Sequence, residues 1–147
     1  NLHPSLLPEY KGCSSLTWAI INGEEKTGFS YHYLTKFIDQ GNIILQKKVK
    51  IEDWDTQLSL YYRVMFEAIK DFEEVINKVI KGFEGFPQKK TGDYYKRGAP
   101  HNGVIQKDWS IEKIERFIRA MNYPPLPYAR YNKKEIKTFE DFLKNEK

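Results

Sequence analysis

The chain has 147 residues, enough for one domain with a buried core, and its 40% hydrophobic and 15% aromatic content excludes disorder. No apolar run reaches the roughly 18 residues of a membrane-spanning helix, and the one cysteine, Cys13, excludes an internal disulfide and a cysteine-based zinc site. A net charge of +4 suits an anionic ligand but equally a solvated basic surface, so charge selects no function.

The first residues, NLHPSLLPEYKG, carry an amide at Asn1, an imidazole at His3 and a hydroxyl at Ser5. At a strand end, the period of two puts Asn1 and His3 on one face. After Gly12, CSSLTWAIINGEEKTG predicts a short helix. Ser14 or Ser15 is its cap, Leu16, Ala19 and Ile20 share a face, and Asn22-Gly23 stops it. Alternation and aromatic content predict a strand over Phe29 to Leu34, in which His32 reads as a packed residue. TKFIDQG is a loop, and NIILQKKVKI is a second strand.

From Asp55 to Lys81, Leu58, Tyr61, Met65, Ile69, Phe72, Ile76 and Ile80 recur at helical steps. They predict one long amphipathic helix, capped by Asp55, ended by Gly82 and turning those residues inward. A connection runs from Gly82 to Gly92. Next comes a helix over DWSIEKIERFIRAM, capped by Asp108 or Ser110, with Ile111, Ile114, Phe117 and Ile118 inward; Pro124, Pro125 and Pro127 forbid its continuation. YARYNKKEIKT predicts a hairpin turning near Asn132, and Thr138 with Asp141 resembles a capping box for a last helix. Trp18, Trp54 and Trp109 read as core or interface anchors, and His101 as a solvated turn residue. No metal-ligand cluster and no glycine-rich phosphate loop is visible.

The order of elements is α/β, with too few strands for a complete doubly wound sheet. Together with the absence of an initial methionine, it leads us to expect a missing preceding segment of roughly 80 to 100 residues.

These residues resemble the folate-dependent formyltransferases. The family pattern is asparagine, any residue, histidine, a Ser-Leu-Leu-Pro run, a glycine, a glycine-begun strand carrying a histidine or similar residue, and a loop ending Asp-x-Gly-x-Ile. Here the matching positions are Asn1, His3, Ser5 to Pro8, Gly12, Gly28, Asp39, Gly41 and Ile43. YYKRGAPHNGVI and DWSIEKIERFIRAMNYPPLPYA look like the C-terminal part of the sugar-nucleotide N-formyltransferases, although Leu126-Pro127-Tyr128-Ala129 stands where the family often has aromatic-glycine-alanine. The tail has no room for the longer C-terminal barrel of the transfer-RNA formyltransferases. The resemblance implies the C-terminal half of a Rossmann-like sheet with a long helix over residues 1–83. A small helix-plus-hairpin segment would follow over 84–147.

It also implies a reaction. Formyl would pass from N10-formyltetrahydrofolate, a cosubstrate with no metal, to the amine of a nucleotide-linked sugar, by expectation one carried on thymidine diphosphate. The enzyme would be cytoplasmic and would feed surface polysaccharides such as O-antigen; neither a membrane nor nucleic acid is the first-choice partner, and a homodimer is compatible. Such transfer needs donors where an oxyanion forms and a group that carries protons near neutral pH. The matching catalytic residues are Asn1, as amide donor, His3, as proton carrier, and Asp39, which orients the histidine or a relaying water. The folate loop carries over as Thr35, Lys36, Phe37, Ile38 and Asp39, with Lys36-Phe37 unusual for the family. Tyr94, Tyr95 and Arg97, with Lys96, place aromatics beside positive charge, a candidate nucleotide site. The chain by itself is expected to be inactive or nearly so. Alternatives are a phosphoribosylglycinamide formyltransferase, a formyltetrahydrofolate hydrolase, or a non-catalytic nucleotide- or RNA-binding module using the Tyr94 to Arg97 patch.

Overall fold

The computed structural model describes residues 1–89 and 92–146. Part of the connection expected between Gly82 and Gly92, residues 90 and 91, and the final residue 147 lie outside them. A three-stranded antiparallel sheet places β3 (Lys26–His32) between β1 (Leu2–His3) and β4 (Ile43–Lys50). Every β3 residue after Lys26 is buried, as befits a central strand covered on both faces. The strand begins earlier than its aromatics suggest and stops at His32, where the pairing register shifts. Tyr33 and Leu34 lie beyond it, and Leu34 is exposed.

Helix α1 (Ser15–Asn22) ends on Gly23, whose positive φ lets its N–H reach back to the Ile20 carbonyl. Ser14 holds the N-cap position without a side-chain cap bond, while the Ser15 hydroxyl donates to the Pro4 carbonyl at 2.8 Å. A second, two-residue parallel ladder joins β2 (Lys11–Gly12) to β5 (Tyr94–Tyr95).

The long helix departs from expectation in three ways. It is two helices, α2 (Gln57–Lys70) and α3 (Phe72–Ile80), broken at Asp71, whose carboxylate pairs with the Lys47 ammonium at 2.5 Å. Its cap is Thr56, not Asp55: the Ser59 N–H donates to Thr56 Oγ1 and the Thr56 N–H to Ser59 Oγ. Asp55 is instead fully buried and accepts from the Glu52 N–H, the Ser59 hydroxyl and the Arg63 guanidinium.

The third departure is the face. Leu60, Val64, Ala68 and Val75 are buried, whereas Ile69, Phe72, Ile76 and Ile80 are 40 to 77% exposed. Both sets recur at helical steps, so the period cannot choose between the two faces. Side-chain size does choose. Ala68 is small enough for the Tyr31 hydroxyl to reach its carbonyl at 2.9 Å.

Helix α4 (Ile111–Ala120) is capped by Ser110, whose hydroxyl accepts from the Lys113 N–H. It buries Ile114, Phe117 and Ile118 against α1 and leaves Ile111 exposed. Arg116 and Arg119 tie it down by donating to the Ile21 and Asp55 carbonyls. The hairpin of β6 (Ala129–Tyr131) and β7 (Lys134–Ile136) turns at Asn132 and Lys133, both with positive φ as a tight hairpin turn requires. Thr138 and Asp141 exchange capping bonds at the start of α5 (Phe139–Glu146). Phe117, Ile136 and Phe142 share one buried cluster with Leu16 and Phe29, so the core is continuous across residue 83.

Two predictions follow from the buried face and the Asp55 cluster. Leu60→Ala is expected to cost about 2–5 kcal/mol of unfolding free energy and Ile80→Ala less than about 0.5 kcal/mol. Urea titration of both variants checks this, and equal losses would restore the face inferred from periodicity. By the same measurement, Asp55→Ala is expected to cost about 2–3 kcal/mol, because its donors lose a charged acceptor while half-buried Arg63 can turn to water; an unchanged midpoint would show the cluster to be idle.

Candidate active site

The site begins where β1 meets β3. The Asn1 amino group donates to the His32 carbonyl at 2.8 Å, and the His32 N–H donates to the Asn1 carbonyl at 2.9 Å. Two residues further, His3 pairs with Ser30. The chain then turns sharply through Ser5 to Pro8, held by side chains of the sheet. The Ser30 hydroxyl donates to the Ser5 carbonyl at 2.7 Å and accepts from the Leu7 N–H, and the Gln46 amide donates to the Leu7 carbonyl.

Asp39 reaches this spot from the loop after β3. Its φ is positive, and the Gln88 amide donates to the carbonyls of both Asp39 and Gly41, at 2.8 and 2.9 Å. Gly41 is required here: a Cβ on it would lie 1.7 Å from the Tyr33 carbonyl oxygen. The nearly buried Asp39 carboxylate accepts the Gly12 N–H at 2.8 Å on Oδ2. Gly12 is equally confined, with φ of 88° and a virtual Cβ 2.3 Å from the Tyr95 carbonyl oxygen.

Two buried histidines flank the carboxylate. His3 Nδ1 lies 3.5 Å from Oδ2, and His32 Nε2 lies 3.5 Å from Oδ1. His3 Nε2 donates to the Tyr10 carbonyl at 2.8 Å, which leaves Nδ1 as the ring nitrogen able to take up a proton. His32 Nδ1 donates to the Tyr33 carbonyl at 2.9 Å, and its Nε2 lies 3.1 Å from the Asn1 amide nitrogen. Burial pushes the His32 pKa down from 6.5; the Asn1 amino group and His3 push the same way, against the Tyr33 carbonyl and Asp39. The folded state therefore favours neutral His32 and loses stability as pH falls below the ordinary histidine range.

Asn1, His3 and Asp39 are thus brought together around one small space. His32, read from the sequence as a packed strand residue, joins them, as do the Gly12 N–H and the Gln88 amide. The histidine of the family's glycine-begun strand was the available signal for His32; nothing local signals Gln88, which acts across 49 positions. Thr35, Lys36, Phe37 and Ile38 form an exposed loop leading to Asp39, with the Thr35 hydroxyl donating to the Phe37 carbonyl and accepting its N–H.

The Tyr94 ring lies over Gly12, while Tyr95 stacks on Tyr10 and Trp18 at centroid distances of 5.5 and 4.8 Å. Tyr95 is therefore engaged in packing. Arg97 lines a cleft of about 650 Å³ that opens at Cys13 and Ser14 and includes Tyr123, Tyr128 and Arg130. His101 is exposed in its turn, as expected, and sits edge-on to Trp18 and Trp109. Trp18 and Trp109 pack against the core, whereas Trp54 is 63% exposed beneath the Arg63 guanidinium. Among the described residues, no group of three or more His, Cys, Asp or Glu is placed to hold a metal ion, and no helix is long and apolar enough to cross a membrane.

Comparison with known proteins shows what the chain is similar to. The GDP-perosamine N-formyltransferase of Brucella melitensis is 50% identical over 129 residues, covering 88% of this chain and 50% of that protein. The chain spans about half the length of such curated relatives. Among solved structures, WlaRD, a sugar 3N-formyl transferase in the presence of dTDP and 5-N-formyl-THF, matches with a TM-score of 0.81 at 28% identity, over 93% of this chain and 51% of that one. The N-formyltransferase of Helicobacter canadensis, in complex with folinic acid and dTDP-3-aminofucose, matches with a TM-score of 0.77 at 29% identity, over 93% and 52%. The family described as Formyl transferase matches residues 1–76, more than half of the chain, and the chain belongs to that family.

Proposed function

We propose that these residues serve transfer of a formyl group from N10-formyltetrahydrofolate to the amine of a sugar linked to a nucleoside diphosphate. The observation that carries the reading is the convergence of Asn1, His3 and Asp39. The neutral amine attacks the formyl carbon, a C–N bond forms and the carbonyl becomes a tetrahedral oxyanion. An Asn1 N–H donates to that oxygen. As the bond to folate N10 breaks, N10 gains a proton and the amine loses one. His3 Nδ1 is the carrier, with the Asp39 carboxylate beside it to stabilise the charged ring. The exposed apolar side chains of Leu34, Phe37 and Ile38 offer a surface for the flat pterin next to Asp39. The Arg97 and Arg130 cleft, one residue beyond Gly12, suits the diphosphate, with Tyr123 and Tyr128 for sugar or base.

The nucleotide has two readings. Thymidine diphosphate is the expectation from the sequence and accompanies the two solved neighbours, at 28 and 29% identity. Guanosine diphosphate is named for the 50% identical relative and is the reading we favour. Either product would be made in the cytoplasm for a surface polysaccharide such as O-antigen.

Turnover by the 147-residue chain alone is expected to be very slow. Among the described residues β1 is paired only to β3, so the sheet beside Asn1 has an open edge. Formyl transfer by the purified chain at a normal enzymatic rate would contradict this. Placing the N-terminal half of the Brucella relative ahead of Asn1 is expected to restore transfer. In that fusion Asn1→Ala should lower kcat by about 10²–10³-fold; unchanged kcat would remove Asn1 from the mechanism. Folate hydrolysis without any amine would instead identify a hydrolase.

Offering GDP- and dTDP-linked amino sugars to the same fusion separates the two nucleotides. Arg97→Ala should raise KM for the preferred one by about 10–100-fold, the value of a charge-assisted contact, while leaving KM for folate unchanged. An equal rise for both substrates would move the nucleotide elsewhere.

A further inference from the structure

His32 has no role in the mechanism above, yet it is 1% exposed and its two ring nitrogens face different partners. Nδ1 lies 2.9 Å from the Tyr33 carbonyl oxygen. A carbonyl can only accept, so Nδ1 carries the hydrogen, and in a neutral ring Nε2 is left with a lone pair. That lone pair faces the Asn1 carboxamide at 3.1 Å and an Asp39 oxygen at 3.5 Å. It repels the amide oxygen and attracts an amide N–H.

We propose that His32 is a positioning residue: by accepting one N–H of Asn1 at Nε2, it decides which way the carboxamide faces and so which group Asn1 offers to the reacting carbonyl. One N–H is taken by His32 and the second is left for the oxyanion. With the amide turned over, Asn1 would present its carbonyl oxygen to a developing negative charge and would oppose the reaction. The proposal rests on the formyl-transfer reading for its function, but the hydrogen bond itself can be tested without turnover.

The arrangement requires a neutral His32. A doubly protonated ring would turn Nε2–H toward Asp39 Oδ1 and draw the Asn1 oxygen after it. The charged and titratable groups facing the ring are the Asp39 carboxylate, His3 beyond it and the Asn1 amino group. Burial, the largest influence, holds the ring neutral against the pull of Asp39. A residue needed only for packing would depend on volume. A positioning residue depends on an acceptor at the Nε2 position, and the two demands are separable by substitution.

The test is nitrogen-resolved NMR of the 147-residue chain at pH 7. His32 is expected to show a protonated Nδ1 and an unprotonated Nε2, and one Asn1 side-chain amide proton should be shifted and slow to exchange. An Nε2–H tautomer, a charged ring, or an Asn1 amide exchanging like a free one overturns the proposal. His32→Gln, which restores an acceptor near Nε2, should keep the Asn1 signature, and His32→Phe, which keeps only bulk, should abolish it; the same signature in both overturns it. In the active fusion, His32→Phe should lower kcat by about 10²-fold with both KM values unchanged, and His32→Gln should recover most of the loss. A wild-type kcat in His32→Phe overturns it as well. If the fusion transfers formyl to no amine, the functional reading fails, and the spectrum of the unfused chain still decides the hydrogen bond.

Discussion

A single carboxylate, that of Asp39, is what the rest of the site is arranged around. A nearly buried charge must be paid for by hydrogen bonds and opposite charge. Here one oxygen takes a backbone N–H from Gly12, and an imidazole nitrogen lies 3.5 Å from each oxygen, that of His32 presenting a lone pair. Holding the acid in place recruits residues far apart in sequence: Gln88 grips the loop by two carbonyls, Gly41 lets the Tyr33 backbone approach, and Gly12 brings its N–H within reach only because it lacks a side chain. The glycines are thus functional through geometry. Each occupies a place where a methyl group would collide with backbone.

The two histidines show how one residue type meets the same carboxylate in two ways, set by its partners. Both are buried, both lie 3.5 Å from the same carboxylate, and both spend one nitrogen on a backbone carbonyl. They spend opposite nitrogens. His3 commits Nε2 to Tyr10 and keeps Nδ1 toward the acid, an arrangement open to a second proton. His32 commits Nδ1 to Tyr33 and turns Nε2 to an amide donor as well as to the acid, an arrangement that favours a neutral ring.

Much of the site was legible because its residues lie in short motifs whose spacing is set by local geometry. Alternation along a strand put Asn1 and His3 on one face, and a turn ending in glycine delivered Asp39. The short helices and the hairpin were legible for the same reason, since caps and turn residues act within four positions. What failed were judgements that need a tertiary partner. The α2–α3 sequence offers two apolar series at helical steps, and contacts such as that of Tyr31 with the Ala68 backbone reveal which one is in. Asp55 looks like a cap because it precedes a helix, but its carboxylate is used by Arg63 and Ser59. Gln88 has no local signature, because its partners lie on a loop far upstream.

The link between the carboxylate and the Arg97 cleft also depends on a long-range contact, and a very short one. In β2 the Lys11 N–H goes to the Asp93 carbonyl and the Cys13 N–H to the Tyr95 carbonyl, both at 2.9 Å, while the Gly12 N–H between them points the other way, to Asp39. This follows from strand geometry, in which successive amides face opposite edges. Three consecutive residues therefore bind the acid on one edge and the Asp93 to Tyr95 segment on the other. Tyr95, wedged between Tyr10 and Trp18, fixes the partner strand against α1, so the ladder cannot slide without breaking aromatic contacts. β5 ends two residues before Arg97, and it pairs with the same backbone that supplies the Asp39 hydrogen bond. The backbone at Gly12 thus touches the Asp39 carboxylate on one side and, through β5, the segment that leads to Arg97 on the other.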